Sequence, residues 1–296
     1  MIKIVAIVGP TGSGKSALAV RLAKQFKGEV VSADSRQIYR GLKIGSGAIT
    51  KKEMQKVPHF LLGFLKPSTA LSAEQFRKLA DKNINAISRR SKLPFLVGGT
   101  GFYLKAVMEN TRFPEVKPNK KLRQKLSRQT SAELFQLLKK LNPQRARTID
   151  RHNPRRLIRA LEIASSQTPQ SHSLSDEKSR TEYNCLVLGI NPEKAELKKK
   201  IERRFHGWLK QGFLEEVRRL KKIKLSQTRF KELGLHYWYA YLYLTKRISY
   251  EEFCRESISS IWHYAKRQLT WFKRENIIWV KDYRQAKTLV RRFLSS

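Results

Sequence analysis

The strongest constraint on this chain is an apolar run that breaks into glycines. Ile2-Lys3-Ile4-Val5-Ala6-Ile7-Val8 leads directly into Gly9-Pro10-Thr11-Gly12-Ser13-Gly14-Lys15-Ser16. The second segment is an unbroken G-x-x-x-x-G-K-[ST] phosphate loop, placed between a strand and a helix as that motif requires. Its glycines let main-chain N–H groups turn inward around phosphate oxygens, and the helix N-terminus adds the positive end of its dipole. Lys15 supplies a point charge, and the Ser16 hydroxyl can join a magnesium shell. Gly9–Ser16 are therefore expected to bind a diphosphate or polyphosphate, against the alternative of a chance glycine-rich turn.

Beyond the loop the chain keeps the same rhythm. Lys15–Phe26 reads as a helix, and Glu29-Val30-Val31-Ser32-Ala33-Asp34 as a strand ending on a carboxylate. Ala73–Ser91 has helical apolar spacing, and Pro94-Phe95-Leu96-Val97 is a buried strand running into Gly98-Gly99-Thr100-Gly101. This alternation predicts an α/β fold: a P-loop NTPase-like core with a parallel sheet flanked by helices. Ligands in such sheets bind beyond the carboxyl ends of the strands. The phosphate loop, Asp34 and Thr100 should therefore meet on one rim.

The core is expected to be discontinuous, spanning 1–114 and 184–296, with residues 115–183 forming an inserted all-helical domain. Between Lys117 and Arg159 the acids are scarce and the lysines and arginines dense, and Ser165–Ser175 reads as a Ser/Thr/Gln-rich loop. The whole chain has 62 Lys and Arg against 24 Asp and Glu, a formal net charge of +38. Such an excess draws in a polyanion, and nucleic acid is the usual one, so the insert is read as a binding surface for it. After the insert, Cys185–Ile190 returns to strand character. Helices are expected over about 193–222, 229–244 and 249–274, then a strand Ile277–Val280 and a last helix. The aromatics Tyr237, Trp238, Tyr239, Tyr241 and Tyr243 cover more than one helix face, which favours core packing over base stacking.

No apolar stretch approaches the roughly 20 residues of a membrane helix, and the first strand lacks the pattern of a signal peptide. Cys185 and Cys254 form neither a disulfide framework nor a zinc-ligand pattern. A cytoplasmic protein without membrane contact, acting as a monomer, is expected. A magnesium-dependent NTPase normally has an apolar strand ending in an Asp that holds the metal shell. Asp34 ends such a strand, yet it opens a polar cluster, Asp34-Ser35-Arg36-Gln37-Ile38-Tyr39, richer than a metal ligand requires. Its bland alternative is to cap the following turn.

Five collinear segments now resemble one family. Gly9–Ser16, Ser32–Tyr39, Val97-Gly98-Gly99-Thr100-Gly101-Phe102-Tyr103-Leu104-Lys105, Asn153–Glu162 and Tyr264-Ala265-Lys266-Arg267-Gln268-Leu269-Thr270-Trp271 are similar to the ordered motifs of the tRNA dimethylallyltransferases. The resemblance implies transfer of a dimethylallyl group from dimethylallyl diphosphate to the exocyclic amine of the adenosine 3′ to the anticodon. By that resemblance Gly9, Pro10, Thr11, Gly12, Ser13, Gly14, Lys15, Ser16 and Arg204 would hold the diphosphate, with Ser16 on Mg²⁺. Asp34 would be the general base, and Thr100 would hydrogen-bond the bridging oxygen of the leaving group. The anticodon stem-loop would touch Asp34, Ser35, Arg36 and Gln37; Arg123; Arg155, Arg156, Leu157, Ile158 and Arg159; and Lys231 and Gly234.

The chain also departs from the family. Ile44-Gly45 continues as Ser46-Gly47-Ala48-Ile49 without the usual lysine, Pro58-His59-Phe60-Leu61 lacks a second histidine, and Gly234 is followed by Leu235 rather than tyrosine. These changes bear on rim contacts more than on the central chemistry, and His59 reads as a packed residue. No Cys/His zinc module is present, so the resemblance is to the bacterial form. Two alternatives stay open: an adenylate isopentenyltransferase acting on free nucleotide, and an RNA-binding P-loop NTPase or kinase.

Overall fold

The computed structural model describes residues 1–111, 113, 114, 116–166 and 183–296. The chain divides into two compact units, Met1–Asn110 with Arg180–Ser296, and Thr111–Ser179.

The larger unit opens with β1 (Ile2–Val8), α1 (Lys15–Gln25), β2 (Gly28–Ser32), the single-turn α2 (Lys51–Met54) and β3 (His59–Phe60). It continues through α3 (Ala73–Arg89), β4 (Leu93–Gly98) and α4 (Gly101–Met108). The strands join β5 (Tyr183–Gly189) and β6 (Ile278–Trp279) in one parallel sheet, ordered β3-β2-β4-β1-β5-β6. β1 lies at the centre, Val5 pairing with Phe95 on one side and Leu186 on the other. Its residues Ile4–Val8 are all buried, the unbroken apolar run expected of a strand covered on both faces. Val5, Ile7 and Val30 pack with α1. The α3 helix covers the opposite face, as the period-two alternation of side chains requires, burying Phe76, Ala80, Ile84 and Ile87. Because every strand runs the same way, the turns after β1, β2 and β4 open on one edge. Ala33 N–H donates to Val97 O at 2.7 Å and Thr100 N–H to Ala33 O at 3.3 Å, stitching two of those turns together.

The small unit contains α5 (Lys120–Leu126), α6 (Ser131–Leu141), α7 (Pro143–Thr148) and α8 (Pro154–Ala164). The side chains of Asn119, Thr130, Asn142 and Asn153 cap their N-termini, satisfying donors that would otherwise be orphaned. Leu126, Leu134, Leu138, Leu157 and Leu161 form its own small core. Most of the expected Ser/Thr/Gln-rich loop, from residue 167 on, lies outside the described residues.

The rest of the larger unit is helical: α9 (Lys194–Lys210), α10 (Phe213–Lys222), α11 (Gln227–Leu233), α12 (Leu235–Leu244), α13 (Tyr250–Phe272) and, after β6, α14 (Tyr283–Ser295). Two helices expected to be continuous are each broken. The breaks fall at Gly212, with φ of 95°, and Gly234, with φ of 148°. Only glycine takes such angles without strain, so the chain can turn there and stack each helix pair on a shared core. That core holds Phe205, Phe213, Phe230, Tyr237 and Phe253, with Trp238, Tyr239, Tyr241 and Tyr243 packed against it. Among the described residues no helix is long and apolar enough to cross a membrane.

Candidate active site

The phosphate loop leaves β1 and turns through Gly12 and Gly14, whose φ values of 81° and 88° bring the main chain around toward the head of α1. Lys15 is only 9% exposed, and its Nζ donates to Pro10 O at 3.2 Å. Burial lowers its pKa from 10.5 to about 8; nearby Asp34 opposes this and nearby Arg204 adds to it. A lysine so held gains an anion's company cheaply, since a bound phosphate restores the charged form. Ser13 Oγ is buried and has no hydrogen-bond partner among the described residues. An orphaned hydroxyl in a phosphate loop fits a donor that awaits a ligand oxygen.

Asp34 follows β2. Its Oδ1 accepts the N–H of Arg36 at 2.9 Å. The turn-capping role therefore exists, but it occupies one oxygen and orients the other. Thr100, after β4, accepts the Ser35 N–H on Oγ1 at 3.0 Å and donates to Ser35 Oγ at 3.2 Å. Phosphate loop, Asp34 and Thr100 are thus gathered on one rim. One pocket is lined by Lys15, Ser16, Ser32, Asp34, Gln37 and His59, among others. A second is lined by Thr11, Asp34, Arg36, Gly45, His236 and Tyr264, among others. Asp34 is the one residue common to both linings. His59 Nδ1 lies 2.8 Å from Val57 O, and burial lowers its pKa, so it stands as a hydrogen-bonded neutral side chain.

Arg204 comes from α9. Its guanidinium donates to Gly47 O at 2.8 Å and lies 5.1 Å from the Trp208 ring centroid. Burial lowers its pKa and Asp34 pulls it back up. The adjacent Arg203 is exposed, so only one of the two arginines is turned toward the site. Arg36 lies over the Tyr264 ring at 4.6 Å and packs against Gly234, where any β-carbon would collide with its guanidinium. Gln37 Nε2 donates to Gly47 O at 3.3 Å. Lys231 Nζ sits 4.6 Å from the Trp238 centroid, one turn before the helix break. Leu235, at the family's tyrosine position, is 40% exposed on the rim of the second cavity.

In the small unit, Arg123 and Arg159 converge on Glu162, whose side chain is 1% exposed. Arg123 bonds it at 2.9 and 2.6 Å and Arg159 at 2.5 Å. Arg155 and Arg156 are exposed. Leu157 is fully buried in the unit's core and Ile158 packs against that core. An RNA contact expected at Leu157 is thereby corrected: its side chain holds α8 in place and presents nothing to a ligand.

Two residues with large roles had no role assigned from sequence. Gln268 on α13 accepts Thr11 N–H at 2.8 Å and donates to Gly99 O at 2.7 Å, joining the loops after β1 and β4. Glu216 on α10, 1% exposed, accepts the N–H groups of Lys43, Ile44 and Gly45 at 2.8, 2.9 and 3.0 Å and the Tyr237 hydroxyl at 2.7 Å. His236 Nε2 meets Gly45 O at 2.9 Å. A signal was available: Gln268 stands between Ala265 and Leu269, and Glu216 between Phe213 and Val217, polar groups on buried helical stripes.

Among the described residues no group of three His, Cys, Asp or Glu could hold a metal on its own. Ser16 lines the first pocket beside Lys15, and its hydroxyl fits a magnesium ion held largely by phosphate oxygens and water.

Comparison with known proteins agrees with this geometry. A family model described as IPP transferase matches residues 37–275. A tRNA dimethylallyltransferase of Caldanaerobacter subterraneus is 38% identical, covering 97% of this chain and 95% of the relative. A crystal structure of full-length tRNA isopentenylpyrophosphate transferase from Bacillus halodurans superposes with a TM-score of 0.73 at 34% identity, covering 100% of this chain and 96% of that one. A eukaryotic dimethylallyltransferase acting on tRNA gives 0.80 at 25% identity, covering 95% of this chain and 74% of that chain. With its phosphate loop and Asp34 on one rim and its match running nearly end to end, the chain belongs to the IPP transferase family.

Proposed function

We propose that this protein transfers a dimethylallyl group from dimethylallyl diphosphate to the exocyclic amine of the adenosine 3′ to the anticodon of tRNA, releasing diphosphate. The observation that carries this reading is the position of Asp34, shared between the cavity lined by Lys15 and Ser16 and the one lined by Arg36, His236 and Tyr264. A cationic cradle on one side and an acceptor space on the other suit a reaction in which a prenyl group crosses from diphosphate to base.

In that reaction the amine nitrogen forms a bond to the terminal allylic carbon. The allylic C–O bond breaks, its electron pair leaves on diphosphate, and the amine proton passes to Asp34. Loop N–H groups, Lys15 and Arg204 stabilise the negative charge that grows on the leaving group. Thr100 would hydrogen-bond its bridging oxygen. Magnesium, held by Ser16 and the diphosphate, would add charge neutralisation. A stacked loop adenosine must leave its stack before it can reach Asp34, and Arg36 over Tyr264 offers a surface for what remains of the loop.

The basic helical unit is assigned to the anticodon arm, with Arg155 and Arg156 exposed for phosphate contact. We propose further that the protein acts as a monomer in the cytoplasm. The test is transfer of labelled dimethylallyl diphosphate, with magnesium, offered unmodified tRNA and AMP in parallel. Label on tRNA beside the anticodon supports the reading; label on AMP alone, or on neither, overturns it.

A further inference from the structure

Most of the positive charge lies outside the helical unit. Residues 111–179 hold 16 of the 62 Lys and Arg and 6 of the 24 Asp and Glu, so the larger unit carries the greater part of the excess. Part of it lies on α1 and α14, which pack together on one face of the sheet. Neither helix contains an acidic residue.

On α14, Ala286 and Val290 are buried. Arg284 and Arg291 are exposed and Lys287 is half-buried; spaced i, i+3 and i+7, the three form one stripe. It is ~10 Å long at 1.5 Å per residue. On α1, Arg21 and Lys24 are exposed, and the Arg21 guanidinium lies 3.9 Å from the Tyr283 ring centroid at the seam. None of the three α14 side chains has an ion-pair partner among the described residues. The acid at the head of α14 is occupied: Asp282 accepts the Gln285 N–H as the helix cap. Other helices of this protein place an acid beside the base, as in Glu74 with Arg77, Glu196 with Lys200 and Glu215 with Arg218. Gathering like charges without such partners is unfavourable unless a polyanion offsets it.

We propose that the α1–α14 face binds the ribose–phosphate backbone of the RNA substrate, outside the segment presented to Asp34. This rests on the reading above only in taking the substrate as RNA. The face has exposed arginines, whose forked donors match phosphate. It offers no exposed apolar anchor of the kind a membrane-surface helix needs, since the apolar side of α14 is spent on the sheet. Its position also favours the substrate itself, because α1 starts at the phosphate loop and Arg21 lies six residues, ~9 Å, along it from Lys15.

The test compares unaltered protein, R284Q/K287Q/R291Q, and a control of equal charge on the opposite face, K78Q/K82Q/R89Q. Each is titrated across a KCl series with full-length unmodified tRNA and with the isolated anticodon stem-loop. Loss of three phosphate contacts, at ~0.7–0.9 each, lowers the slope of log Kd against log salt by about 2–3. We expect that change for full-length tRNA with the α14 variant alone, with stem-loop binding and melting temperature unchanged. An unaltered slope for full-length tRNA would overturn the proposal. An equal loss in the α3 control, or an equal loss on the stem-loop, would also overturn it, since either marks an effect of net charge or of the anticodon arm. Prenyl transfer to the stem-loop is read separately: its absence in the unaltered protein counts against the functional reading, while the salt slopes still decide the face.

Discussion

Gln268 joins Thr11 to the opposite loop: its Oε1 takes the Thr11 N–H at 2.8 Å while its Nε2 reaches Gly99 O at 2.7 Å. One buried amide from the long helix α13 thus sets the spacing between the phosphate loop and the turn that carries Thr100. Gln268→Leu keeps the size but strands both main-chain groups, at about 1–3 kcal/mol for each one left unpaired. Transfer should fall by ~10²-fold, the scale of a small misplacement of reacting groups. Turnover with thermal melting checks this; a stable variant with normal turnover would remove Gln268 from the positioning role.

Asp34→Asn retains an oxygen for the Arg36 N–H, so the turn should survive. Proton acceptance should not, and single-turnover prenyl transfer should slow by ~10²–10⁴-fold. Diphosphate binding should stay within a few-fold of normal. A near-normal single-turnover rate would assign the base elsewhere.

Lys15 titrates at about 8 in the folded, ligand-free protein, because burial disfavours its charge. Affinity for inorganic diphosphate should hold steady below that pH and weaken above it, as the free protein loses the ammonium. The stability effect has the opposite sense. Between about 8 and 10.5 the unfolded chain holds a proton that the folded chain does not, so this residue makes stability rise with pH there. Calorimetric titration of diphosphate from pH 7 to pH 9.5, about 1.5 units above the folded pKa, should show the loss in the unaltered protein. In Lys15→Met the profile should be flat.

Glu216 gives both oxygens to the 43–45 turn and to Tyr237, so Glu216→Gln cannot satisfy the same four donors: its NH₂ faces two of them. Tyr237→Phe removes one donor and should cost about 1 kcal/mol. Glu216→Gln should cost more, and should raise KM for tRNA more than it lowers kcat, because Gly45 and Ser46 line the acceptor-side cavity. Melting temperatures and steady-state kinetics of the two variants, side by side, decide this.

Glu162 organises the small unit. Burial pushes its pKa up, but Arg123, the Asn119 N–H and Arg159 outweigh this and hold it down at about 2. A carboxylate with a lowered folded pKa stabilises fully above its ordinary value of 4.5 and loses that contribution as pH falls toward about 2. Circular dichroism melts of the unaltered protein and Glu162→Gln should differ at neutral pH and converge in acid. A constant difference across that range would mean the charge is not what matters.

The features legible from neighbouring residues alone are mostly local. Ile2–Ser16 specifies strand, loop and helix because its backbone geometry depends on glycines and apolar residues within a few positions. The unbroken apolar strands already implied a sheet covered on both faces, and the capping residues of the insert announced its helices. Contacts made across long chain separations were decided by tertiary structure. Gln268 reaches Thr11 and Glu216 reaches Lys43 only because α10 and α13 pack beside turns far away in the chain. The choice of Arg204 over Arg203 is a matter of helix rotation, set by Ile201, Phe205 and Trp208 turning into the core. Leu157 lies inside a run of arginines, yet it is buried because helical periodicity carries one residue of that run into the core. The breaks at Gly212 and Gly234 have the same origin: glycine permits the turn, and the shared aromatic core requires it.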